Sequence, residues 1–156
     1  MTVSTFTSLH VVLSLIGIGA GLVVLFGLLG GRLRGGWNSL FLVTTVATSV
    51  TGFAFPTTRL LPSHVVGIIS LVVLAVALLA RYPMRLAGAW RRIYVVSAAI
   101  ALYLNVFVAV TQAFMKVPAL SALAPTQSEP PFAVAQLVVL ALFIALTLVA
   151  VKKARG

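Results

Sequence analysis

Apolar positions in this chain neither alternate nor recur every third or fourth residue; they run on without a break. Five such stretches, residues 6–29, 37–55, 64–80, 93–115 and 132–151, stand out. A helix needs about 17–25 apolar residues to cross the hydrocarbon core of a bilayer, and each stretch meets that length. Strands are excluded because an outer-membrane barrel would alternate apolar and polar side chains with period two. All seven prolines, Pro56, Pro62, Pro83, Pro118, Pro125, Pro130 and Pro131, fall between the stretches. The pattern predicts an all-α polytopic transmembrane helix bundle of about five spans, forming one domain over residues 1–156.

Composition agrees. Hydrophobic residues make up 62% and charged residues 8%, against roughly a quarter charged in a soluble domain. Such a chain in water would expose apolar patches far beyond those tolerated on monomers. Cysteine is absent, which excludes disulfides, thiolate metal sites and thiol chemistry. The first stretch reads as a retained span and not a signal peptide. It has no basic n-region, since Arg32 is the first basic side chain after His10, and it outruns an h-region of roughly 7–15 residues.

The net charge of +10 would suggest nucleic acid in a soluble protein, but its distribution argues for lipid. Arg32 and Arg34 lie in the first loop, Arg81, Arg85, Arg91 and Arg92 in the third, and Lys152, Lys153 and Arg155 in the tail. Arg59 and Lys116 alone fall on the other side. The positive-inside rule then places the N-terminus outside and the C-terminus in the cytoplasm. Trp37, Tyr82, Trp90 and Tyr94 mark the same inner boundary.

Polar side chains within the stretches carry whatever chemistry there is. His10, Ser14, Gly17 and Gly21 share one face of the first span. Its GxxxG pair invites close helix packing. The second span carries Thr44, Thr45, Thr48, Ser49 and Thr51. These hydroxyls either bond the carbonyl one turn back or line a cavity. Asn105, near mid-membrane on the fourth span, needs a hydrogen-bonding partner, either a neighbouring helix or a ligand in a pocket beside the second span.

At the outer boundary the spacing brings His10, His64, Gln112, Glu129 and Gln136 to similar depth, with Lys116. Together with Asn105, the first five of these are the candidate ligand-binding residues. Two imidazoles from different helices offer axial ligands for a b-type haem, or, with Glu129, a two-histidine, one-carboxylate metal set. A structural role for the same histidines is the plainer alternative. Glu129 has its own plain role, since Ser128 can cap the fifth span and place Glu129 in its positive first turn. No paired carboxylates are present to support acid–base catalysis, and residues 30–36, though glycine-rich, match no phosphate-binding loop.

The stretch from Leu102 through Thr111-Gln-Ala-Phe, followed by Ala124-Pro-Thr-Gln-Ser-Glu-Pro-Pro-Phe, resembles an uncharacterised family of small bacterial inner-membrane proteins. The resemblance covers the C-terminal third. It implies a bacterial inner-membrane setting and no activity. The sequence thus points to a non-enzymatic membrane component. It reads as an accessory or assembly subunit among lipids and other subunits, or copies of itself, with a lipid-like or quinone-like ligand near the outer leaflet. A haem-carrying electron carrier and a small-solute or ion transporter are the alternatives. Nucleic acid is not among the partners.

Overall fold

The structure, a computed structural model, describes residues 2–154. Arg155, one of the basic tail residues, lies outside them. Six helices follow in order: α1 Val3–Leu29, α2 Gly35–Gly52, α3 Pro62–Arg81, α4 Trp90–Lys116, the short α5 Pro118–Leu123, and α6 Pro130–Lys153. No strand occurs among the described residues. Four of the five long helices outrun their apolar stretches because capping and flanking residues join them, whereas α2 stops at Gly52, short of the stretch's end at residue 55. Thr2 accepts the Thr5 N–H at the start of α1, and prolines open α3, α5 and α6, where a missing N–H costs nothing.

Helices α1, α3, α4 and α6 are long and apolar enough to cross a membrane. α2 has 18 residues, or about 27 Å at 1.5 Å per residue. It holds Asn38 and six hydroxyl side chains, and its mean hydropathy falls short of that of the four candidate spans.

The long helices alternate in direction, and small residues set their spacing. A Cβ at Gly21 would fall 2.5 Å from Leu102 of α4 and 2.9 Å from the Phe41 ring of α2. One turn away, Gly17 faces Thr44, Thr45 and Asn105 in the same way. The glycine face predicted for packing therefore meets both α2 and α4. A core of Phe41, Leu42, Leu74, Tyr94 and Leu102 fills the interior, each about 1% exposed.

α1 to α4 form a ring, and α6 packs outside it against α4 and α1. The contact with α4 runs through Phe132 on Phe114, Gln136 on Thr111, and Phe143 on Tyr103. Arg91 donates to the Gly31 carbonyl at 3.3 Å, so the first and third loops share one end of the bundle. Lys152 and Lys153 reach that end along α6. Arg59 and Lys116 lie at the opposite end.

Candidate functional site

A cleft of about 90 Å³ enters the four-helix ring from the end opposite the basic loops. His10, Gly52, Phe53 and His64 stand at its mouth; Ser14, Thr48 and Gly67 lie deeper; Thr45, Ser70 and Asn105 line its floor. Below them the buried core of Phe41, Leu42, Leu74 and Leu102 closes the way. The cleft is a dead end.

Local structure orients each imidazole. His64 sits at the third position of α3, where its Nδ1 accepts the Leu61 N–H at 2.9 Å. Its own N–H donates to the Leu61 carbonyl. With Nδ1 accepting, the neutral ring carries its proton on Nε2, a donor. His10 is the reverse. The Thr51 hydroxyl gives its proton to the Ala47 carbonyl at 2.7 Å and so can only accept from His10 Nδ1, 2.8 Å away. His10 Nε2 is therefore left with a lone pair. Two rings from the turn after α2 hold both histidines: Phe55 packs edge-on against His10, centroids 5.1 Å apart, and Phe53 stacks on His64 at 5.6 Å.

The threonines of α2 divide into two kinds. Thr44 and Thr51 bond back to Leu40 and Ala47 at 2.7 Å. Thr45 and Thr48 make no such bond, and their buried hydroxyl oxygens have no partner. Asn105 Nδ2 is in the same condition. All three residues line the cleft. A buried polar group left without a partner costs about 1–3 kcal/mol. Three in one small space draw in water or an accepting ligand. Together with His64 Nε2 they make the lining rich in donors, matched to a carbonyl, ester or phosphoryl oxygen.

Of the six candidate residues, the structure brings His10, His64 and Asn105 together and sets the other three apart. Gln136 is buried, but it faces α4 and not the cleft, donating to the Phe107 carbonyl and the Thr111 hydroxyl at 3.1 Å each. Gln112 is exposed. Glu129 is half-buried and turns back onto the preceding loop, accepting from the Thr126 hydroxyl and from the N–H groups of Thr126 and Ser128. It is itself the N-cap residue of α6, in place of Ser128. Desolvation pushes its carboxyl up, but these hydrogen bonds outweigh that and hold it below its ordinary value. Phe53, Phe55, Ser63 and Ser70 belong to the site without having stood out in the sequence. The Phe53-Ala54-Phe55 pair beside a helix end was the one available signal.

The donor set does not fit haem or a metal ion. Capping uses His64 Nδ1 and puts the proton on Nε2, so neither nitrogen offers iron a lone pair without uncapping α3. The cleft is also smaller than a cavity of about 150 Å³, which holds only benzene. Among the described residues, no three His, Asp or Glu side chains gather as a metal set.

Compared with known proteins, the chain matches no family model, and neither a curated protein nor a solved structure is detectably similar to it.

Proposed function

We propose that this chain is a non-enzymatic component of a bacterial inner membrane, an accessory or assembly subunit. In this reading it crosses the bilayer five times, with α2 as the fifth span, its N-terminus outside and its C-terminus in the cytoplasm. The cleft then opens to the outer leaflet and receives the polar end of a lipid-like or quinone-like amphiphile. The carrying observation is the set of partnerless atoms on Thr45, Thr48 and Asn105, facing one small space beside a donating His64. Such a lining suits a carbonyl oxygen, and about 90 Å³ admits that oxygen and the atoms next to it, with the rest of the ligand lying outside the cleft along the bundle. Transport of a solute is the weaker reading because the buried core beneath Asn105 leaves no continuing path.

Asn105→Leu and Thr48→Val test this in purified protein with a decyl-tailed benzoquinone and with phospholipid. Native mass spectrometry should show that wild type retains one of these and that both variants lose it. Their melting temperatures should stay close to that of wild type. A variant that melts early while retaining the bound molecule would instead assign Asn105 to helix packing, where such bonds are worth about 0.6 kcal/mol.

A further inference from the structure

On the lipid-facing side of the bundle, α3 and α4 enclose a groove of about 400 Å³, separate from the cleft. Its walls are aliphatic: Val72, Val73 and Val76 from α3, Ile93, Val96 and Ile100 from α4. Val72, Val76, Val96 and Ile100 are exposed, so the groove faces outward and not into the core. The one hydroxyl in it, on Ser97, already donates to the Ile93 carbonyl at 2.7 Å and offers nothing to a ligand. The remaining polar group is the guanidinium of Arg92, at the basic end of the groove.

Arg92 is free for an outside partner. Its neighbour Arg91 is committed to the Gly31 carbonyl, whereas Arg92 makes no hydrogen bond or ion pair among the described residues. The chain's one acidic side chain, Glu129, lies before α6 at the other end of the bundle. An apolar channel along the membrane normal, with a lone cation at its headgroup end, is complementary to one molecule class. We infer that this groove holds an anionic phospholipid, one acyl chain between α3 and α4 and its phosphate on Arg92. Basic pockets between membrane helices take anionic headgroups by this combination of charge and burial. A zwitterionic lipid would bring a compensating cation close to the guanidinium and lose most of the attraction.

The inference does not depend on the cleft, and its test leaves the cleft residues unchanged. Detergent-solubilised protein titrated with phosphatidylglycerol or phosphatidylcholine is read by native mass spectrometry of retained lipid. Wild type should prefer phosphatidylglycerol. Arg92→Gln should weaken that preference about fivefold, the worth of one near-surface cation toward an anionic headgroup. Val96→Trp, which fills the groove, should reduce retention of both lipids. Arg34→Gln, in the first loop, should change neither. An unaltered preference in Arg92→Gln overturns the inference, as does a preference lost only in Arg34→Gln. The arginine variant decides alone if Val96→Trp does not assemble.

Discussion

His64 does two jobs with one ring. Nδ1 closes the first turn of α3 and Nε2 faces the cleft. The two are separable by substitution. Losing a cap costs about 0.5–2 kcal/mol, so His64→Leu should lower the thermal stability of the solubilised protein by that amount. A glutamine at the third helical position reaches back to the same N–H, so His64→Gln should restore most of the stability. Circular dichroism melts of both variants check this, and equal losses would mean that the cap contributes little. The histidines and Asn105 were legible in the sequence because depth follows from counting residues along a span. The division of the threonines was not, since Thr44 and Thr45 are adjacent and only the placement of neighbouring helices decides which hydroxyl bonds back. Gln136 shows the same limit: its depth was readable, but α6 presents it to Thr111.

At the scale of the helices, the closest approach is at Gly21. Leu102 and Phe41 are both about 1% exposed and have no free space to move into. Gly21→Ala should therefore destabilise the bundle by about 1–3 kcal/mol, the usual cost of overpacking a filled core. Gly19, with nothing within 4 Å of a Cβ, should accept alanine without loss. Comparing the two melting temperatures isolates packing from helix propensity, because both changes improve the latter. The long helices could be read from continuous apolarity, which needs no knowledge of partners. α5 could not, because six residues opening on a proline carry no periodic signal. Helix ends also ran past the apolar stretches: Gly35, Trp90 and Arg91 are helical though they flank the apolar runs.

For the molecule as a whole, the uneven charge is the main constraint. The first and third loops and the end of α6 collect the basic side chains at one end, the end that the proposed orientation places in the cytoplasm. With no native cysteine, single cysteines report the orientation cleanly. One at Thr126 should react with an impermeant thiol reagent in intact cells, and one at Gly88 only after permeabilisation. The opposite pattern would turn the cleft toward the cytoplasm. Both residues lie outside the helices, so labelling does not compete with packing. The position of α6 outside the four-helix ring bears on how the protein is made. No residue of α6 lines the cleft, and a chain emerges from its N-terminus first. Every wall of the site is thus synthesised before α6 leaves the ribosome, and α6 joins a pocket whose parts are already present.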